Sequence, residues 1–225
     1  MPTNIKLLIV DDHQLIIEGI LFSLKEINNL DISTTNSCDE AYALIQESLN
    51  EIPFQIVFTD LSFDNTTLNS VIKSGEELIK KLKKEEIPIK IGVITGHSET
   101  NRVFNVLQHL NPDAYILKGQ CSGDELNFAI HKMLKNEPFY THEIHQKLTK
   151  RAMVEIQMDD IALQILKELR NHSKINNLEG VIKKSNGSLV KTRTIEAKLA
   201  KLRGDLNANN NTDLVLKAME LGILD

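Results

Sequence analysis

Residues 6–13 read KLLIVDDH, and this short stretch decides the fold. Four apolar residues run without a polar break from Leu7 to Val10 and stop at two aspartates. Such a run suits a strand covered on both faces, as parallel strands are, rather than the alternating strand of a half-exposed sheet. Immediately outward lies helical spacing, with apolar residues at Leu15, Ile16, Ile20, Phe22, Leu24 and Ile27. The alternation then repeats. Strands are expected at Ile32–Thr35, Gln55–Thr59, Lys90–Thr95 and Ala114–Leu117. Helices are expected at Asp39–Glu47 (from an acidic N-cap), Gly75–Lys84, around Arg102–His109 and at Gly123–Leu134. Five strands alternating with five helices predict an α/β doubly wound, five-stranded parallel sheet over residues 1–136.

Beyond Asn136–Glu137–Pro138 no further strand is legible, and residues 137–157 read as a linker that is partly helical. Residues 158–225 carry only helical patterns, at Asp159–Arg170, Lys174–Lys184, Thr192–Arg203 and Asn211–Leu221. Asn186–Gly187 and the stretch from Gly204 to Asn207 supply the breaks. A small all-α domain is the expectation. Charge divides the chain at the same place. Residues 1–150 hold 14 basic and 21 acidic side chains, a net of −7, whereas residues 151–225 hold 12 and 10, a net of +2. Within Lys183–Arg203 there are seven bases and one acid, Glu196, which points to an anionic partner for the second domain. Two cysteines, Cys38 and Cys121, are too few for a disulfide framework and read as reduced thiols of a cytoplasmic protein. No charged leader followed by an apolar run opens the chain, and no apolar run is long enough to span a bilayer, so neither secretion nor a membrane partner is expected.

The chemistry lies at the strand ends. Asp11 and Asp12 follow the first strand, Asp60 the third, Thr95 ends the fourth and Lys118 follows the fifth. In an open parallel sheet these ends converge on one crevice. Three carboxylates gathered there repel one another unless a cation joins them, and hard oxygen donors suit Mg2+. A hydroxyl and an ammonium beside them suit the oxygens of a phosphoryl group. Metal, phosphoryl group and nucleophilic carboxylate together point to an aspartyl phosphate. His142 and His145 have metal-ligand spacing without further ligands, Cys121 has no neighbouring base, and His13 reads as a surface residue. Neither a Walker loop nor a dinucleotide glycine fingerprint is present, so no enzymatic activity beyond the chain's own phosphoryl transfer is expected.

On LLIVDDH, VFTDL, VITGH and AYILKG the first domain resembles the receiver domain of a two-component response regulator. The resemblance implies phosphorylation of Asp60 by a sensor histidine kinase. It implies Asp12 as a direct Mg2+ ligand, Asp11 acting largely through water, and Ser62 as a ligand through its backbone carbonyl. Thr95 and Lys118 would hold phosphoryl oxygens, and Tyr115 would be the aromatic that turns inward on activation. One departure stands out. Receivers usually follow the acceptor with a short loop and a Met-Pro pair, whereas LSFDNTTLNSVIKSG delays Gly75 and lacks that pair. What the segment Ser62–Ser74 does is not legible from sequence.

The last stretch, TIEAKLAKLRGDLNANNNTDLVLKAMELGIL, resembles the end of the LuxR-type helix-turn-helix domain of NarL/FixJ regulators. That resemblance makes the helix from Thr192 the recognition helix and Asn211–Leu221 a closing helix used in the active homodimer. Glu196 and Lys198 would then lie near base edges, and Lys191, Arg193, Lys201 and Arg203 near DNA phosphates. Thr192 is a candidate cap, and Ile195, Leu199, Leu202 and Leu206 form a core stripe at helical spacing. Upstream the match weakens, because the expected short turn is replaced by the longer, polar KKSNGSLVK (Lys183–Lys191). Two functions therefore compete: a phosphorylation-controlled DNA-binding transcription regulator, and a regulator whose divergent helix-turn-helix binds a protein partner.

Overall fold

The computed structural model describes residues 4–64, 70–171 and 175–224. Its contacts divide into two compact units, residues 1–98 with 105–144 and residues 99–104 with 145–225.

The first unit alternates as expected: β1 (Ile5–Val10), α1 (Gln14–Leu24), β2 (Leu30–Thr35), α2 (Cys38–Ser48), β3 (Ile56–Thr59), α3 (Gly75–Lys84), β4 (Lys90–Thr95), α4 (Thr100–His109), β5 (Ala114–Leu117) and α5 (Gly123–Leu134). The strands lie in the order β2-β1-β3-β4-β5, all parallel. Leu7, Leu8, Ile9 and Val10 are all buried, which is why β1 shows no alternation. Three helices open on the same local device. Ser37, Ser74 and Ser122 each accept, through the hydroxyl, the backbone N–H three residues on, at 3.4, 3.2 and 3.2 Å. A glutamate occupies that third position each time, the capping-box pattern.

Two expectations need correction here. The cap of α2 is Ser37 rather than Asp39. The sheet has six strands, because β6 (Phe139–Tyr140) adds to the β5 edge in parallel. Two residues after a proline are too few to show a strand period, and only the neighbouring edge, through bonds such as Phe139 N–H to Asp113 C=O at 2.9 Å, specifies the strand.

Later in the chain come α6 (His142–Gln157), α7 (Asp160–Leu169), α8 (Thr192–Asp205) and α9 (Asn211–Glu220). The segment expected to be a partly helical linker is therefore largely α6. Ile165, Leu166, Leu178, Ile182, Val190, Ile195, Leu199, Leu202, Leu214 and Leu224 are among the residues that close the core of the second unit. The helix expected over Lys174–Lys184 is not formed among the described residues. Ile175–Leu178 makes one 3-10 turn, and the chain then enters an antiparallel bridge between Lys183 and Leu189. That pairing takes the backbone groups a helix would have used. Thr192 is not a cap either: Lys191 holds that position without a side-chain bond, and the Thr192 hydroxyl donates to Glu179 instead.

Candidate functional site

The order β2-β1-β3 places the reversal of winding between β1 and β3, and an open parallel sheet offers its crevice at the carboxyl ends of such a pair. Val10 pairs with Thr59, and the Asp60 N–H donates to the Val10 carbonyl at 3.1 Å, so Asp11 and Asp60 leave adjacent strands side by side. Both are buried. Lys118 enters from the end of β5, and its Nζ lies 2.8 Å from Asp60 Oδ2 and 2.7 Å from Asp11 Oδ2. Burial opposes the charge of this ammonium. Hydrogen bonds to Asp11 and Asp60 and the charges of both carboxylates outweigh burial, so its pKa stands above the ordinary lysine value.

Further groups surround this centre. The His13 N–H donates to Asp11 Oδ1 at 3.0 Å, and its Nδ1 lies 2.9 Å from Asp12 Oδ1. Asp11, Asp12 and His13 form the group of close-set metal-type donors found among the described residues. Ser62 Oγ lies 3.0 Å from His97 Nε2, and the Tyr115 hydroxyl donates to the His97 carbonyl at 2.8 Å. Tyr115 is wholly buried. Thr95, also buried, accepts the His97 N–H at 3.4 Å. His97 thus connects the segment after the acceptor to the β5 aromatic. Sequence reasoning passed over it, although VITGH carries it two residues beyond Thr95.

The long segment after Asp60 is fastened at both described ends. Asp12 Oδ2 accepts the Asp64 N–H at 2.7 Å, and Asp39 accepts the N–H groups of Val71 and Ile72 at 3.0 and 2.9 Å. Residues 65–69 lie outside the described residues. Despite the detour, α3 begins hard against the acceptor. A Cβ on Gly75 would stand 1.7 Å from the Asp60 carbonyl oxygen, so only glycine fits without moving that backbone. Gly75→Ala is expected to destabilise the fold by about 1–3 kcal/mol in urea unfolding. Wild-type stability would disprove the close approach.

Removing Lys118 leaves two buried carboxylates without the ammonium they share. Breaking a fully buried pair costs about 3–5 kcal/mol, and since the Lys118 side chain is 19% exposed, about 2–3 kcal/mol is expected for Lys118→Ala. The pH dependence has a definite sign. Because the folded pKa is raised, the stabilisation is complete below the ordinary value of 10.5 and fades as pH rises through the folded value. The wild-type advantage over the variant should therefore hold constant across neutral pH and shrink only in strong alkali. A loss beginning near pH 7 would contradict the bridge. The two thiols take no part in this chemistry. Burial pushes Cys38 up to about 12 and Cys121 up to about 11, so both stay protonated and poorly nucleophilic.

In the second unit, Ile195, Leu199 and Leu202 on α8 and Leu206 just after it are buried, while Lys191, Arg193, Glu196, Ala197, Ala200 and Lys201 are exposed. Lys198 is engaged within the domain. Its ammonium pairs with Asp159, the N-cap of α7, whose carboxyl is held below its ordinary value by that bond and by the Ala162 N–H. Arg203 donates from Nη1 to Asn211 Oδ1 at 3.1 Å. The exposed face of α8 therefore offers two bases, Arg193 and Lys201, around the small residues Ala197 and Ala200.

The family model for the response regulator receiver domain matches residues 7–131. The chain belongs to that family. Over its length it is also similar to full-length relatives. It is 22% identical to the response regulator protein VraR of Staphylococcus saprophyticus across 98% of this chain and 99% of the relative. It is 25% identical to the transcriptional regulatory protein YdfI of Bacillus subtilis across 97% of each. Among solved structures, the RcsB response regulator of Salmonella typhimurium superposes with a TM-score of 0.63 at 19% identity, over 96% of this chain and 98% of that one. A structure of RcsB dimers bound to DNA gives 0.59 at 20% identity, over 97% and 99%. At such identities the likeness is one of fold, and it extends over both units. Among the described residues no helix is long and apolar enough to cross a membrane.

Proposed function

We propose that this protein is the receiving half of a two-component pair: a partner histidine kinase phosphorylates Asp60, and the modified chain acts as a transcription regulator that binds DNA as a dimer. The observation that carries the reading is the Lys118 ammonium set between Asp60 and Asp11 at the mouth of the β1/β3 crevice. An Asp60 oxygen attacks the donor's phosphorus, the bond from phosphorus to the donor's leaving nitrogen breaks, and the phosphoryl group stays on the carboxylate as an acyl phosphate. Lys118 and Thr95 then serve the phosphoryl oxygens.

The donor set suits Mg2+, since Asp11 and Asp12 lie in one close-set group, Asp60 shares Lys118 with Asp11, and Ser62 follows Asp60 by two residues. When bound, the ion neutralises charge on the transferring group. We read the chain as a substrate that assists its own modification. Tyr115 is the proposed reporter, because its hydroxyl reads the His97 carbonyl between β4 and α4. We assign residues 1–136 to the receiver, 137–157 to the connection and 158–225 to a NarL/FixJ-type output domain in a cytoplasmic protein. Lys191, Arg193, Lys201 and Arg203 are its proposed phosphate contacts, and Glu196 lies toward the bases. Lys198 serves there only by giving up Asp159.

Acetyl phosphate supplied with Mg2+ tests the first half of the reading. One acid-stable, hydroxylamine-sensitive phosphoryl group per chain is expected, and a chain that takes up none would refute it.

A further inference from the structure

The insertion ahead of α8 is a built element rather than a loose loop. Val190 N–H donates to the Ile182 carbonyl at 2.9 Å, and Lys184 N–H donates to the Ser188 carbonyl at 2.8 Å, on either side of the Lys183–Leu189 bridge. The tip is a tight turn in which Gly187 N–H donates to the Lys184 carbonyl at 2.9 Å and Gly187 takes the left-handed conformation at φ 80°. This is the three-residue hairpin loop that a glycine in that position permits. Asn186 Oδ1 accepts both the Ser188 N–H at 3.1 Å and the Ser188 hydroxyl at 2.7 Å. The base of the hairpin is clamped by Gln164 of α7, which both donates to the Lys183 carbonyl and accepts the Lys183 N–H, each at 3.0 Å.

Side-chain alternation then sorts the residues. Ile182 and Val190 enter the core, and Val181, Lys183, Leu189 and Lys191 stand exposed opposite them. From Val181 to Lys191 there are three lysines and no acid. Leu189 is 53% exposed, a large apolar side chain held in water by a hairpin whose register leaves it no other place. Anchoring alone needs Ile182, Val190 and Gln164, and does not account for this outer face.

The hairpin also runs straight into α8, because Lys191 is the N-cap of that helix. Leu189 and Arg193 are four residues apart, so they lie within about 14 Å of each other. The major groove is about 12 Å wide, and recognition helices enter it by their N-terminal end. A helix docked in that way carries the hairpin to the groove's rim. We infer that Lys183–Lys191 is a second DNA-contacting element, a preformed wing that sets Lys183, Lys184 and Lys191 against backbone phosphates and Leu189 against the sugar wall. This rests on the DNA-binding reading above and extends it from α8 to the insertion that leads into it. A rigid hairpin loses little conformational freedom on contact, so its charges act at small entropic cost.

The test is a salt titration of binding by the full-length, phosphorylated chain to a labelled duplex of mixed sequence, for wild type, Lys201→Ala and the pair Lys183→Ala with Lys184→Ala. Both hairpin lysines are exposed, and Lys183 is clamped through its backbone, so the paired variant should unfold at the wild-type temperature. Each lost phosphate contact lowers the salt slope by about one, so in a dimer the paired variant should lose about four and Lys201→Ala about two. Raising salt from 50 to 200 mM should then weaken the paired variant roughly a hundredfold less than wild type. If the paired variant keeps the wild-type slope while wild type binds, the wing is overturned and the DNA-binding reading stands. If wild type itself fails to bind at low salt, that reading falls and takes the wing with it.

Discussion

Asp60→Asn should take up no phosphoryl group from acetyl phosphate, while the fold and the Lys118 position survive. Three features of the site support so large an effect. Asp60 is the carboxylate at the carboxyl end of β3, beside Asp11 and within 2.8 Å of Lys118. An amide of the same shape keeps a carbonyl oxygen for Lys118 but is a poor nucleophile. Asp11 follows β1 with one oxygen held by the His13 N–H and the other by Lys118, and is not placed to substitute. Mass spectrometry of the intact chain reads the result directly. Label on the Asn variant at the wild-type rate would assign the acceptor elsewhere.

The second large effect concerns the output surface. Lys191, Arg193 and Lys201 are exposed on or beside α8, and Arg203 is half-buried at its end. Two chains bound together would offer six to eight such groups to phosphates. A protein making 6–10 phosphate contacts loses about 10³–10⁵ in affinity between 50 and 200 mM salt. A loss in that range is therefore expected for the phosphorylated wild type. Lys201→Ala should weaken binding about equally on every sequence, because phosphates carry no base identity. Fluorescence anisotropy across the salt series checks both. An affinity indifferent to salt would mean that the basic segment does not lie on DNA, and would favour a protein partner for the small-residue face around Ala197 and Ala200.

The parts of the fold that were legible are those written locally. Gly75–Lys84, Lys90–Thr95, Ala114–Leu117 and Gly123–Leu134 have the bounds their periods predict, because buried parallel strands and amphipathic helices differ sharply in pattern. That Asp11, Asp60 and Lys118 would meet was legible because a parallel sheet delivers all of its carboxyl ends to one edge. What escaped was non-local. Asp39 reads as a cap, yet its carboxylate holds Val71 and Ile72, more than thirty residues away. The spacing of Ile175, Leu178 and Ile182 reads as a helix, but it is equally the spacing of a turn and a hairpin foot that reach the same core. Lys198 reads as one base in a basic run, and only the folded chain brings Asp159 to it. His97 carries no signal of its own until Ser62 and Tyr115 are seen on either side.

Phosphorylation of Asp60 is expected to govern occupancy of DNA. This is tested most directly by incubating the full chain with fragmented genomic DNA from its source at moderate salt, with and without a phosphoryl donor, and sequencing what is retained. A small set of specific fragments is expected to be retained with the donor, absent without it and absent for Asp60→Asn. Retention of no DNA by fully phosphorylated protein, even at low salt, would contradict it.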